Sequence, residues 1–412
     1  MEILPRIALF ADTYHELNGA ANFLRRLAGF AKERDYPFLC VRAGDETGAE
    51  QDGSVTFLNI KRGRGSIPLD GSLRYDPFMW RNFAFVKKEL KEFNPCGLHL
   101  TGLNDVSQLG FMHAHRSELP AVATWHTNAH EYAATRLLSK LPWIPEKTAD
   151  RLGGVIERTT MKGLMKLYFL AQMQLAPNPE LVDQIRDLTK RPSYLLRRGV
   201  DTDFLNPNKR DRSNDEIVLG FVGRLRPEKN VRMLAAIEKR LIAEGLTNYR
   251  FLVVGEGNER PWLTANLKRA EFTGEIHGDE LARAFANMDL FVFPSLTDAF
   301  ANVVLEAMSS GVPAISFAVG GPKFLIEDNV SGLIAEDEPD LAHKIAAVIR
   351  NPSMIEPMRP KARAFAEEHS WEHIFEKTYE FYRVLRTYKK NVRAKDVPLT
   401  FPEPASSSVF EP

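Results

Sequence analysis

Short β-branched or aromatic runs alternate with stretches of helical periodicity in both halves of this chain, and this alternation restricts its fold more than any other feature. The runs are RIALF, PFLCV, VTFLNI, GLHL, AVATW, QLAPN and SYLL in the first half, and EIVLGFVG, RFLVVG, LFVFPS and PAISF in the second. Continuous apolar strands separated by helices are typical of a parallel sheet covered by helices on both faces. The sequence therefore predicts an α/β protein with two doubly wound, Rossmann-like domains.

The length of 412 residues exceeds a single ordinary core and fits two domains. A polar stretch rich in turn residues, GVDTDFLNPNKRDRSND at residues 199–215, marks the boundary. We expect an N-terminal domain over residues 1–199, a C-terminal domain over residues 200–370 and an irregular tail over residues 391–412. Between them, the stretch WEHIFEKTYEFYRVLRTY has aromatic residues at helical spacing and predicts a long helix within residues 371–390.

The composition predicts a soluble globular protein, because 44% of the residues are hydrophobic and 26% are charged. The formal net charge is zero, but residues 1–200 contain 27 Lys and Arg against 22 Asp and Glu. A surplus of this size is too small to indicate nucleic-acid binding. It would suit an acidic substrate or an anionic membrane surface.

Cysteine content and hydropathy bear on the location of the protein. Cys40 and Cys96 are the only cysteines, so we expect neither a disulfide framework nor a zinc site, and the cytoplasm is the simplest compartment. The first residues, MEILPRIALFAD, lack the basic segment and the long apolar core of a signal peptide. No apolar run reaches about 18 residues, so we expect no membrane-spanning helix.

The stretch TDAFANVVLEAMSSGVP places two carboxylates around the start of a predicted helix. The helix should begin near Ala301 or Asn302 and stop at Gly311. Asp298 then lies in the preceding loop and Glu306 about one turn inside the helix. Glu306 alone could simply stabilise the helix dipole. Because helix N-termini bind anions and carboxylates accept hydrogen bonds from sugar hydroxyls, the pair indicates a ligand with anionic and hydroxyl-rich parts.

A cationic loop precedes this stretch in the same half. VLGFVGRLRPEKN follows a predicted strand with Gly223 and then Arg224, Arg226 and Lys229. Guanidinium and ammonium groups beside a glycine turn fit a diphosphate. Taken alone, such a run is more often a solvated turn. Together with the two carboxylates, it predicts a nucleotide-sugar site.

Three features of the first half give weaker evidence for a binding site. Gly19 lies in a strand-to-helix turn where backbone amides could approach a ligand, although a tight turn needs glycine in any case. His126 follows a predicted strand, where a structural and a functional role are equally expected. Residues 136–170 mix basic with aromatic residues, as an interfacial patch or a core helix with cationic edges would. Neither half has G-x-G-x-x-G after its first strand, which disfavours a dehydrogenase.

Several of these motifs resemble one family. FVGRLRPEKN, FLVVGEG, FTGEIHGDELARAFANMDLFVFPS and TDAFANVVLEAMSSGVPAISFAVGGPKFLIEDNVSGLI resemble the donor domain of family 4 retaining glycosyltransferases of the GT-B fold. ADTYHELNGAANFL and WHTNAHEYA are similar to members that transfer mannose or sulfoquinovose to glycolipids. The resemblance implies two Rossmann-like domains facing a central cleft, an N-terminal acceptor domain, a C-terminal donor domain and a final helix that crosses back to the first domain.

The resemblance also implies roles for individual residues. Asp298 would contact hydroxyls of the transferred sugar and Glu306 those of the ribose, while Arg224 and Lys229 would neutralise the diphosphate. The loop from Gly274 to His277 would read the base. The implied donor-binding residues are Gly19, Gly223, Arg224, Lys229, Gly274, Ile276, His277, Asp298, Ala299, Phe300, Ala301, Asn302 and Glu306. The implied catalytic residues are His126, Arg224, Lys229 and Asp298.

The reaction implied is retaining transfer of a hexosyl unit from GDP-mannose or a UDP-hexose to a lipid, glycan or small-molecule acceptor. No cofactor and no essential metal ion are expected, and the enzyme would work in the cytoplasm or at the inner face of the membrane. Two alternatives stay open. One is another GT-B enzyme, such as a nucleotide-sugar epimerase or a phosphorylase, and the other is a non-catalytic nucleotide-sugar binding protein.

Three positions depart from the usual family pattern. Asp298 replaces the more common Glu and is one methylene shorter. Ala301 stands where Gly is usual, and its Cβ could crowd a phosphate. Phe324 occupies the place of a frequent Glu, which weakens any inference about contacts there.

Overall fold

The computed structural model describes residues 4–16, 19–70, 73–117, 119–126, 146–213 and 215–398. The chain divides into two compact units. Met1–Leu196 and Phe375–Pro412 form unit 1, and Arg197–Ile374 forms unit 2.

Unit 1 contains an eight-stranded sheet in the order β10-β9-β8-β7-β1-β2-β4-β3, and a separate two-stranded hairpin of β5 and β6. The strands are β1 Ile7–Ala11, β2 Phe38–Gly44, β3 Gly48–Asp52, β4 Val55–Lys61, β5 Ile67–Asp70, β6 Leu73–Tyr75, β7 Gly97–Leu100, β8 Ala121–Thr124, β9 Met173–Ala176 and β10 Ser193–Leu195. The helices described are α1 Gly19–Glu33, α2 Phe83–Phe93, α3 Asp105–Arg116, α4 Glu146–Tyr168 and α5 Pro179–Thr189.

The central strands of this sheet are buried on both faces. All residues of β1 and β7 are buried, as expected for parallel strands covered by helices on both faces. Every pairing in the sheet is parallel except that of β3 with β4. The strand order reverses between β1 and β7, and the carboxyl ends of these two strands therefore form the switch point at which doubly wound sheets bind ligands.

Unit 2 contains a six-stranded parallel sheet in the order β13-β12-β11-β14-β15-β16. The strands are β11 Ile217–Val222, β12 Tyr249–Val254, β13 Ala270–Gly274, β14 Leu290–Phe293, β15 Ala314–Phe317 and β16 Gly332–Ala335. The helices are α6 Met233–Ala243, α7 Arg260–Asn266, α8 Gly278–Ala286, α9 Asn302–Ser309, α10 Glu338–Arg350, α11 Met358–Glu367 and α12 Trp371–Leu385. Here the order reverses between β11 and β14, which defines a second switch point.

The last of these helices, α12, belongs to both units. Its first four residues lie in unit 2, and the residues from Phe375 onward lie in unit 1. In unit 1 the ring of Phe375 packs 5.5 Å from that of Phe23, and the ring of Tyr379 packs 4.6 Å from that of Tyr36. Tyr382 shares a 2.7 Å hydrogen bond with Nδ1 of His99 on β7. The aromatic spacing seen in the sequence therefore places these side chains in the core of unit 1.

The predicted α/β class is confirmed by both sheets. The predicted apolar runs each contain a strand, but five strands were not predicted: β3, β5, β6, β13 and β16. In the described part of the chain, none of the helices combines the length and the apolar character that spanning a membrane requires.

Candidate functional site

The predicted site residues of unit 2 lie in loops at the carboxyl edge of its sheet. Gly223 and Lys229 follow β11, Asp298 follows β14, and Gly274 ends β13. Because β11 and β14 are neighbours, the first two of these loops meet at the switch point, while the third lies two strands away from β11.

Lys229 and Asp298 form an ion pair at this switch point. Lys229 Nζ donates a 2.6 Å hydrogen bond to Asp298 Oδ1. The two side chains are only 16% and 15% exposed, so the pair is largely shielded from solvent. The second carboxylate oxygen, Asp298 Oδ2, is buried and has no hydrogen-bond partner among the described residues. A buried carboxylate oxygen without a donor is an acceptor site available to a ligand hydroxyl.

Hydrogen bonds between the two loops fix this arrangement. Asn230 adopts a left-handed φ of 51° just after Lys229, and its side-chain amide donates to the Pro294 carbonyl at 3.1 Å. The hydroxyls of Ser295 and Thr297 each lie 3.4 Å from the Glu228 carbonyl. The loop that carries Lys229 is thus tied to the loop that carries Asp298.

The helix predicted after Asp298 is present as α9, which begins at Asn302 and ends at Ser309. Ala301 precedes it with a left-handed φ of 69°, a conformation that favours glycine. The departure from the usual glycine at this position therefore strains the backbone, a consequence the sequence did not reveal. Glu306 lies in the second turn of α9 and is half-buried.

A pair of glycines shapes the loop from the other side. The Gly321 amide donates to the Asp298 carbonyl at 2.7 Å. A Cβ on Gly321 would lie 2.4 Å from the backbone nitrogen of Phe300, and a Cβ on Gly320 would lie 2.8 Å from the backbone carbonyl oxygen of Asp298. Only glycine permits this close approach. Phe324, the third departure, lies in the short 3-10 helix that follows, Pro322–Phe324.

Other predicted residues of unit 2 differ in their exposure to solvent. Arg224 is exposed, with Nη2 3.9 Å from Glu228 Oε1. Gly274 is buried, has a φ of 76°, and accepts a 2.8 Å hydrogen bond from the Gly255 amide. Ile276 is half-buried against the core, whereas His277 is exposed at the start of α8.

In unit 1, Gly19 and His126 both follow strands at the carboxyl edge of the sheet. Gly19 is the first residue of α1, and the ring of His126 packs 5.3 Å from that of Phe23 on the same helix. Asn18 and residues 127–145 lie outside the described residues, so the first ten residues of the basic and aromatic stretch at residues 136–170 are not described. Its remainder lies largely in α4, where Met161, Met165 and Tyr168 are buried and Lys162 and Lys166 are exposed.

Asp12 was not predicted, although its position at the end of β1 was visible in the sequence. Its two oxygens accept hydrogen bonds of 2.8 Å from the amides of Asn104 and Ser107 at the start of α3. Burial, which outweighs these bonds, raises the pKa of Asp12 to about 6. Asp12 therefore organises the switch point of unit 1. Within the described ranges, no three His, Cys, Asp or Glu side chains form a group that could hold a metal ion.

Comparison with known proteins identifies a family model and relatives that resemble this chain. Residues 216–351 match the family model for glycosyl transferases group 1. A GDP-mannose-dependent alpha-mannosyltransferase of Corynebacterium glutamicum is 28% identical, over 98% of this chain and 94% of the relative. A sulfoquinovosyl transferase of Arabidopsis thaliana is 26% identical, over 89% of this chain and 71% of the relative.

The solved structures include sucrose-phosphate synthase from Thermosynechococcus elongatus. It has a TM-score of 0.73 at 18% identity and covers 93% of this chain and 99% of its own. This likeness confirms the predicted GT-B fold, and the relatives confirm the predicted resemblance to mannosyl- and sulfoquinovosyltransferases. The chain is therefore a glycosyltransferase with the GT-B fold, and its residues 216–351 match the family model for glycosyl transferases group 1.

Proposed function

We propose that this glycosyltransferase transfers a mannosyl unit from GDP-mannose to an acceptor hydroxyl, with retention of the anomeric configuration and without an essential metal ion. The observation that carries the proposal is the shielded pair of Lys229 and Asp298 at the switch point of unit 2, directly before the N-terminus of α9.

The pair supplies two complementary groups to a nucleotide sugar. Lys229 is a fixed positive charge for the diphosphate, and the amides at the start of α9 add partial positive charge. Asp298 Oδ2, which accepts no hydrogen bond from the described residues, takes one from a hydroxyl of the transferred sugar. Glu306, in the second turn of α9, accepts hydrogen bonds from the ribose hydroxyls.

The same groups favour the chemical step. The bond between the anomeric carbon and the diphosphate oxygen breaks, and the bond from that carbon to the acceptor oxygen forms on the same face. The acceptor proton passes to the departing phosphate oxygen. Lys229 and Arg224 stabilise the negative charge that grows on the diphosphate, more strongly in the transition state than in the bound donor. This charge stabilisation is the reason we propose independence from metal ions.

The mannose and guanine assignments rest on the relative from Corynebacterium glutamicum, whose named donor is GDP-mannose and which matches 98% of this chain. The base contacts are proposed for the backbone of Gly274, Ile276 and His277. Gly19 is proposed to approach the donor phosphates, and His126 to contact the reacting sugar. The acceptor class is a lipid, a glycan or a small molecule, and the proposed location is the cytoplasm or the inner face of the membrane.

Donor binding is the first test. Isothermal titration of the full chain with GDP-mannose, GDP, UDP-glucose and UDP should show binding of the two guanine compounds and not of the uracil compounds. Preference for the uracil compounds would reject GDP-mannose in favour of a UDP-hexose. Binding raises the melting temperature by mass action, which gives an independent readout.

Product analysis then separates the remaining alternatives. With an acceptor mixture, NMR of the product should show an α-mannosidic linkage formed at undiminished rate in EDTA. Release of free sugar from donor alone would indicate an epimerase or a hydrolase, and intact donor with every acceptor would indicate a non-catalytic binding protein. A rate that collapses in EDTA and returns with Mg²⁺ would reject metal independence.

A further inference from the structure

The segment between β4 and α2, which we call the excursion, has four large apolar side chains that are exposed to solvent. It consists of the hairpin of β5 and β6 and the 3-10 turn Met79–Asn82. Ile67, Leu69, Phe78 and Trp80 are 53%, 47%, 57% and 58% exposed, and the last two are the most exposed large apolar side chains of the described residues. We call these four residues the hairpin surface. Four exposed large apolar side chains between residues 67 and 80 indicate an interaction site.

The same segment is rich in positive charge. Residues 61–88 contain seven Lys and Arg against two Asp. The exposed cations are Lys61, Arg64, Arg74, Arg81, Lys87 and Lys88. Of the two acids, Asp76 is buried and pairs with Arg81 at 2.6 Å, so it offsets one of these positive charges. The excursion thus combines exposed apolar side chains with an excess of positive charge.

A buried network of hydrogen bonds holds the excursion in place, and it therefore also fixes the backbone that bears the hairpin surface. Asp76 accepts hydrogen bonds from the Gly63 amide at 2.6 Å, the Phe78 amide at 2.9 Å and the Arg81 guanidinium at 2.6 Å. Burial alone would raise the pKa of Asp76, but these bonds lower it to about 2. Asp105 on α3 accepts two bonds from Arg62, at 2.7 and 2.9 Å.

This network connects the excursion to the carboxyl edge of the sheet of unit 1. The Arg74 carbonyl on β6 accepts a 2.9 Å bond from the Asn104 side chain, and the backbone amide of Asn104 donates to Asp12 at the end of β1. Tyr75 donates to Gln108 of α3 at 3.1 Å. The hairpin surface is therefore anchored to the edge that also carries Gly19 and His126.

We propose that the hairpin surface binds the surface of an anionic lipid bilayer and brings this edge of unit 1 to lipid acceptors. Tryptophan and phenylalanine insert at the boundary between head groups and acyl chains, and each Lys or Arg near an anionic surface adds about 1 kcal/mol. Charge complementarity favours this occupant over a protein partner or a second copy of the chain. The proposal rests on the proposed function, because it names a lipid as the acceptor class.

Vesicle sedimentation tests the proposal. The full chain should bind vesicles of phosphatidylcholine mixed with phosphatidylglycerol, bind phosphatidylcholine alone weakly, and release as salt is raised. The double variant Phe78→Ser/Trp80→Ser and the double variant Arg64→Gln/Lys87→Gln should each lose about tenfold or more in vesicle affinity. Ile242→Ser is the matched control, since Ile242 is 49% exposed on α6 of unit 2, and it should bind as the parent does.

Three outcomes would overturn the proposal. They are equal binding to neutral vesicles, unchanged binding by both double variants, and a parent dimer in light scattering that Phe78→Ser/Trp80→Ser makes monomeric. GDP-mannose affinity, measured without vesicles, separates this result from the proposed function. Normal donor binding with no vesicle binding would reject only the lipid surface, and vesicle binding without donor binding would reject only the donor.

Discussion

Lys229 and Asp298 differ from an ordinary surface ion pair in how little solvent they see. Their side chains are 16% and 15% exposed, whereas in the pair of Lys209 and Asp279 in the same unit the values are 25% and 58%. Exposed pairs contribute about 0–1 kcal/mol to stability. In the shielded pair, one carboxylate oxygen has no donor among the described residues, which is unfavourable for folding alone and is consistent with a role in binding.

Replacing Lys229 should weaken donor binding selectively. In Lys229→Met the charge-assisted bonds to the diphosphate are lost, which corresponds to about 1.5–3 kcal/mol, or roughly 10- to 150-fold in affinity for GDP-mannose. Lys209→Met, which removes the exposed pair, should leave that affinity within about twofold. Titration calorimetry on both variants is the measurement. Equal affinities in the two would show that the diphosphate does not contact Lys229.

Ala301 should respond to substitution in the opposite sense from a neighbouring alanine. Ala301→Gly relieves a left-handed φ of 69°, so the free energy of unfolding should stay constant or rise by up to about 1 kcal/mol. Ala307→Gly, inside α9 and fully buried, should lower it by about 1 kcal/mol or more. Urea titration of both variants gives the comparison. A loss at position 301 as large as that at 307 would contradict the strain argument.

His113 makes the stability of unit 1 dependent on pH. Burial, and then the charges of Arg116 and Lys87, lower the pKa of His113 from 6.5 to about 4. Below pH 6.5 the unfolded chain binds a proton that the folded chain excludes, so stability falls as the pH is lowered from 6.5 towards 4. Between pH 7 and pH 5 the expected loss is about 2 kcal/mol. His113→Gln should show a smaller loss over this range in urea titrations, and an identical loss would contradict the assignment.

At the scale of elements, the loops behind the site depend on close backbone approach. A Cβ on Gly257, in the loop after β12, would lie 2.2 Å from the Leu225 carbonyl in the loop after β11. A Cβ on Gly255 would lie 2.1 Å from the Gly223 carbonyl. These contacts set the path of the chain that leads to Lys229.

Gly257→Ala should therefore destabilise the protein by about 1–3 kcal/mol and weaken GDP-mannose binding, because the loop that carries Lys229 must move. Gly29→Ala is the control, since nothing lies within 4 Å of its Cβ position in the middle of α1, and it should stabilise by up to about 1 kcal/mol. Thermal unfolding and donor titration of both variants test this. Unchanged donor affinity in Gly257→Ala would mean that the loop path does not set the position of Lys229.

The buried strands of the two sheets could be predicted because parallel strands buried on both faces are continuously apolar, as IALFA of β1 is. β3, with the sequence GAEQD and mostly exposed residues, lacks that pattern and was missed. Lys229 and Asp298 were both predicted, but not their pairing. The two residues are 69 positions apart in sequence. They meet only because β11 lies beside β14, and strand order is not encoded in local periodicity.

At the scale of the whole molecule, α12 completes the core of unit 1 from the far end of the chain. The Tyr382 hydroxyl contacts His99, which in turn contacts Thr124 Oγ1 at 2.6 Å, so three distant segments share one buried network. Networks of this kind specify one arrangement of the segments that they join.

Removing the Tyr382 hydroxyl should be costly, and removing that of Tyr379 should not. Tyr382→Phe breaks a buried hydrogen bond and should lower the free energy of unfolding by about 1–3 kcal/mol. The Tyr379 hydroxyl, one turn earlier, is buried with no hydrogen-bond partner among the described residues, so Tyr379→Phe should be neutral or stabilising. Denaturant unfolding of both variants measures these changes in the free energy of unfolding. Equal losses would mean that the network does not distinguish the two hydroxyls.

The discontinuity of unit 1 also sets an order on the ribosome. All residues of unit 2 precede Phe375, whereas unit 1 lacks Phe375, Tyr379 and Tyr382 until the end of α12 has been translated. Most of unit 1 is therefore synthesised first, but its core stays incomplete until α12 has been made, whereas unit 2 has all of its residues before that point. A nascent chain stalled shortly after residue 374 would expose the apolar groove that α12 fills, and this is the stage at which a chaperone would be needed most.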